Sequence, residues 1–106
     1  MNNQVRLHPA VPDDLYRTMT WLDHQLPGLG ERYGMAVTQT LENLVVMPGK
    51  GSIKRFGKSR NIEIRSWPIQ EFHKYLIFYH MIDSGIQVIT ITHGARRLRR
   101  ILGERR

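Results

Sequence analysis

The sequence predicts an α+β fold: a small antiparallel-rich sheet with an N-terminal helical hairpin packed on one face, in the order β-α-α-β-β-β. Apolar residues recur at helical spacing through the first half of the chain and change to strand-like alternation in the second. Proline and glycine separate the blocks, at Pro27-Gly28 and at Pro48-Gly49-Lys50-Gly51. The 106 residues suffice for one modest core and not for two, so residues 1–106 are read as a single domain.

Gln4 to His8 alternates polar and apolar residues as a short first strand, which Pro9 ends. Pro12-Asp13-Asp14 then starts a helix. Proline suits the first turn, and two carboxylates there complement the helix dipole. Leu15, Met19, Leu22 and Leu26 lie on one helical face, and Leu29, Tyr33, Val37, Leu41 and Leu44 form a second. The short connection between them predicts an antiparallel helical hairpin. Ile62-Glu63-Ile64-Arg65 alternates as a strand. Lys74 to Ile82 and Ile86 to Thr92 are rich in aromatic and β-branched residues, and Asp83-Ser84-Gly85 joins them as a hairpin turn. The last segment, Ala95 to Arg106, puts Leu98, Ile101 and Leu102 on one helical face among arginines, as a docked short helix or a basic tail.

Sixteen Lys and Arg face nine Asp and Glu, a formal net charge of +7. Six arginines and one acid, Glu104, follow from Arg96 onward, and a second basic stretch holds Lys50, Lys54, Arg55, Lys58, Arg60 and Arg65. Such a field favours a polyanionic or acidic partner: nucleic acid, a ribosome or an acidic protein segment. There is no cysteine, which excludes disulfides and thiol chemistry. His8, His24 and His73 lack metal-ligand spacing, and no cofactor motif is present, so neither a metal nor a cofactor is expected. No apolar run nears the roughly 20 residues of a membrane helix, and no secretion signal opens the chain. A soluble cytoplasmic protein that engages no membrane is expected.

Three blocks, Arg65-Ser66-Trp67-Pro68-Ile69, Tyr75-Leu76-Ile77-Phe78-Tyr79 and His93-Gly94-Ala95-Arg96, occur in an order that resembles the RelE/ParE toxin superfamily, and specifically its ParE-like branch. The resemblance covers nearly the whole chain and rests on the joint order of blocks that are individually short. It implies a toxin of a type II toxin–antitoxin module, causing growth arrest and neutralised by a cognate antitoxin protein. In the ParE branch it implies DNA gyrase as the target, inhibited by binding. In the RelE branch it implies a ribosome-dependent mRNA endonuclease. A third reading is a non-toxic nucleic-acid- or antitoxin-binding module of the same fold.

Cleavage of RNA through its 2′-hydroxyl needs a proton acceptor, a proton donor and cations around the phosphorane. Lys54, Arg65, His93 and Arg96 are the residues that would serve if the chain were a ribonuclease. The chain departs from the resembled pattern at two positions, and the first of them weighs against cleavage. Thr90 stands where the last strand often carries an arginine, and Arg97 stands where aspartate commonly follows Arg96. Non-enzymatic binding of gyrase is therefore the favoured expectation, with Arg65, His93, Arg96, Arg97, Arg99 and Arg100 as candidate target- or antitoxin-binding residues. Plainer roles stand beside these. Arg65 pairs with Glu63 or Asp83 or holds the tail, His93 caps the last strand, Tyr79 is core, His80 is an exposed strand residue, and Trp21 and Trp67 are core or interface anchors.

Overall fold

The computed structural model of the chain describes residues 3–54, 63–94 and 98–105. A first strand, β1 (Gln4–Leu7), leads into two helices, α1 (Val11–Gln25) and α2 (Leu29–Val46). A single 3-10 turn (Pro48–Lys50) follows, then four strands, β2 (Ser52–Lys54), β3 (Ile64–Ile69), β4 (Phe72–Ile82) and β5 (Gly85–His93), and a last helix, α3 (Leu98–Arg105). The fold is α+β as expected, with one strand more than the six-element order contains. That strand is β2, three residues pairing antiparallel with Ile64–Ser66 of β3.

The five strands lie in the order β1-β5-β4-β3-β2. The last four run antiparallel in sequence, while β1 pairs parallel with the start of β5, Gln4 beside Gly85 and Leu7 beside Val88. Asp83-Ser84 makes the tight β4–β5 turn as expected. Gly85 enters β5 at φ 145, and a side chain there would collide with the Gln4 backbone. The strand expected to end at Arg65 continues through Trp67-Pro68 to Ile69. Proline is accommodated because β2 stops at the level of Ser66, so Pro68 has only β4 as a neighbour.

Pro12 and the Asp13–Asp14 pair do occupy the first turn of α1. The helix ends one residue short of Leu26, which becomes an exposed cap. Gly28, at φ 90, turns the chain, and the Asp23 carboxylate accepts the Gly30 N–H at 2.8 Å. A side chain at Gly30 would collide with the Met19 carbonyl, so this glycine permits the close approach of the two helices. The expected hairpin thus forms at the point where α1 caps α2.

Two apolar clusters sandwich the sheet. The larger joins Leu22, Tyr33, Val37 and Leu44 of the helices to Ile77 and Tyr79 of β4 and Val88 and Ile91 of β5. The smaller lies on the other face, where Leu102 of α3, with Leu98 beside it, packs on Ile64, Phe78 and Ile89. Alternation along β4 sends Ile77 and Tyr79 to one cluster and Phe78 to the other. A register shift between Phe78 and Tyr79 leaves Ile89 as an extra β5 residue between the partners Val88 and Thr90. The C-terminal segment is therefore a docked helix over residues 98–105, on the face opposite the hairpin.

Candidate functional site

Arg65 sits on β3 with its side chain only 17% exposed. Its guanidinium donates to the carbonyls of Gly49 and Gly51, both at 3.0 Å, and lies 3.5 Å from the Glu63 carboxylate. Tyr79, beside it on β4, completes the clamp. Its hydroxyl donates to the Pro48 carbonyl at 2.5 Å and accepts the Gly51 N–H at 3.2 Å. Burial pushes the Tyr79 hydroxyl above its ordinary range, opposed by the smaller effects of the Gly51 N–H and the Arg65 charge. Arg65 and Tyr79 thus hold the connection between α2 and β2. Of the pairings expected for Arg65, the structure contains the one with Glu63.

His93 lies elsewhere. It ends β5 opposite Tyr75, ring centroids 5.5 Å apart and nearly perpendicular. Along β4 the residues opposite Arg65 and His93, Tyr79 and Tyr75, are four apart, or roughly 13 Å at strand rise. The two candidates therefore do not converge. His93 instead borders a groove of about 370 Å³ with Arg17, Thr18 and Trp21 of α1, Tyr75 of β4 and Thr92 of β5. Trp21 is 56% exposed there, outside the core. Arg17 is exposed and meets no acidic partner among the described residues.

Thr90, at the position of the absent strand arginine, is buried and donates to the Asp14 carboxylate at 2.9 Å. The same carboxylate takes two hydrogen bonds from Arg105 of α3, whose Nη1 also donates to the Ile89 carbonyl at 3.2 Å. Ile89 lies just past the last residue of β5 that β1 pairs, so this carbonyl has no β1 partner. The Asp14 hydrogen bond raises the Arg105 guanidinium above its ordinary range, against the smaller opposing effect of burial.

Arg99 and Arg100 are exposed on α3, with Arg100 3.4 Å from Glu104 one turn on. Arg96 and Arg97 lie outside the described residues, as do the side chain of Lys54 and the basic positions 55, 58 and 60. His80 is half-buried on β4, more enclosed than the exposed position expected of it. Trp67 is half-buried too, with the Lys50 ammonium 4.7 Å from its ring centroid. Among the described residues no three His, Asp or Glu side chains gather as a metal-ligand set, and no helix is long and apolar enough to cross a membrane.

The residues that sequence reasoning missed are Asp14, Arg17 and Arg105. Arg17 and Trp21 had a readable signal, since four residues apart they share a helix face distinct from the Leu15–Met19–Leu22 stripe.

Fold and charge together define a small basic α+β domain with a helical hairpin on one sheet face and an arginine-bearing helix on the other. Residues 5–98 match the family model of the ParE toxin of the parDE type II toxin–antitoxin system. The chain belongs to this family and is a type II toxin–antitoxin toxin, which implies an antitoxin partner. No curated protein matches the chain.

Proposed function

We propose that this toxin arrests growth in the cytoplasm by binding DNA gyrase, without chemistry of its own, and that its cognate antitoxin neutralises it by binding. The observation that supports binding over cleavage is the engagement of Arg65. Its guanidinium is hydrogen-bonded to the Gly49 and Gly51 carbonyls and lies beside Glu63, and His93 stands roughly 13 Å further along the sheet. A phosphorane needs cations and a proton carrier within hydrogen-bond reach of one another. Arg65 and His93 do not meet that requirement together. The exposed Arg99 and Arg100 of α3, and Arg96 and Arg97 that precede it in sequence, are the proposed contacts with the target.

The test is to purify the chain and assay gyrase supercoiling in vitro, while mapping mRNA 5′ ends by primer extension in cells expressing it. Inhibited supercoiling with no new mRNA ends is expected. Ribosome-dependent cuts with gyrase unaffected would overturn the proposal in favour of the endonuclease reading.

A further inference from the structure

The groove between α1 and the far end of the β4–β5 pair is unexplained by the fold. Its wall carries a tryptophan with more than half its surface in solvent, at 56%, although buried Leu22 adjoins it in sequence. Arg17, one turn before Trp21, presents a guanidinium without an acidic partner among the described residues. Tyr75 forms another wall, held edge-on by the fully buried ring of Tyr33 at 5.2 Å. A rigid aromatic wall, an exposed indole and an unpaired arginine are the residue types that carry most of the energy at protein interfaces.

We propose that this groove receives a short segment of the antitoxin in which an acidic residue stands beside a large apolar one. Arg17 takes the carboxylate, and Trp21 and Tyr75 enclose the apolar side chain. This rests on the reading that an antitoxin neutralises the chain by binding. The occupant is acidic because Arg17 meets no acidic partner among the described residues and the chain carries a net charge of +7. It is a segment because a concave groove of about 370 Å³ admits a few side chains and not the convex surface of a large globular enzyme. The exposed arginines Arg99 and Arg100 lie on α3, which packs on the opposite face of the sheet from the α1–α2 hairpin. An antitoxin segment in the groove therefore leaves Arg99 and Arg100 uncovered for the target.

The experiment co-expresses the chain with the product of the reading frame adjacent to its gene, and measures the affinity of the two purified proteins. Trp21→Ala and Arg17→Glu are compared with Met35→Ala, an exposed apolar change on α2 outside the groove. The groove variants are expected to keep growth arrest when expressed alone, to escape neutralisation, and to bind the neighbour product at least about tenfold more weakly. Met35→Ala should behave as the unaltered chain. Unchanged affinity in both groove variants, or no binding by the unaltered chain, overturns the proposal. Lost growth arrest with an unchanged thermal melt would make the groove a target contact and also overturn it. If the unaltered chain arrests no growth, the toxicity reading fails, while the affinity comparison still decides the groove.

Discussion

Arg105 and Asp14, ninety-one positions apart, form a paired hydrogen bond that ties the last helix to the first, with side chains 17% and 15% exposed. Asp14 is suited to this role twice over. It lies in the first turn of α1, where the helix dipole favours a carboxylate, and it also accepts from Thr90. The pair holds α3 where β5 has run past the end of β1, so that the guanidinium also satisfies the Ile89 carbonyl.

Removing one partner from such a pair leaves the other charge desolvated. Arg105→Ala is expected to cost about 3 kcal/mol, the low end for a buried pair because some water reaches both groups. Urea denaturation checks this, and a double-mutant cycle with Asp14→Ala isolates the coupling. Additive effects of the two changes would show that the ion pair does not anchor α3. Added salt should weaken the coupling less than it weakens the exposed Arg32–Glu71 pair.

The clamp on the α2–β2 connection supports a second prediction. Tyr79→Phe removes the donor to the Pro48 carbonyl and the acceptor for the Gly51 N–H, and Gly51 is buried. A loss of about 1–3 kcal/mol is expected from the two unsatisfied backbone groups. Gly51→Ala should destabilise as well, because its new methyl would collide with the Tyr79 hydroxyl and press on the Ser66 carbonyl at 3.0 Å. In the double variant with Tyr79→Phe that penalty should shrink, since the obstructing oxygen is gone. Thermal melts of the three variants test both statements.

What could be read in advance follows from the range of each interaction. The α1 and α2 stripes and the Asp83-Ser84 turn are local patterns, and they sit where the periodicity puts them. Strand β2 is Ser52-Ile53-Lys54, too short for its alternation to signal a strand, and its pairing with Ile64–Ser66 makes it one. Pro68 reads as a breaker in sequence, and it is tolerated because β2 ends before reaching it. At the candidate site, Arg65 and Tyr79 both fall within the family blocks, yet the Pro48, Gly49 and Gly51 backbone groups they bind are visible only in three dimensions. The partnership of Asp14 with Arg105 has no local signature at all.

Tyr33 supports a prediction of the opposite sign. Its ring packs edge-on against Phe72 and Tyr75 at 5.3 and 5.2 Å, while its hydroxyl is buried without a hydrogen-bond partner among the described residues. Burial pushes that hydroxyl far above its ordinary range, with the Tyr75 and Asp14 groups adding to the shift. Tyr33→Phe keeps the ring contacts and removes the stranded oxygen, so it should stabilise the fold by about 1 kcal/mol. A lower urea midpoint than that of the unaltered chain would mean that the hydroxyl has a partner after all.

His80 makes stability depend on mildly acidic pH. It lies two residues from Phe78 on the same face of β4, half-buried, and burial lowers its affinity for a proton, opposed by a weaker effect from the Met81 backbone. The unfolded imidazole takes up its proton near the ordinary value of about 6.5, whereas the folded one resists until lower pH. Between those two values the unfolded state holds more protons, so stability is full above about 6.5 and falls as the pH drops through that window. His80→Gln removes the titrating group and should flatten this part of the profile. Urea midpoints measured on both sides of the window for the two proteins decide the matter: parallel slopes would assign the acid sensitivity to other groups, and a flatter slope in the variant would assign it to His80.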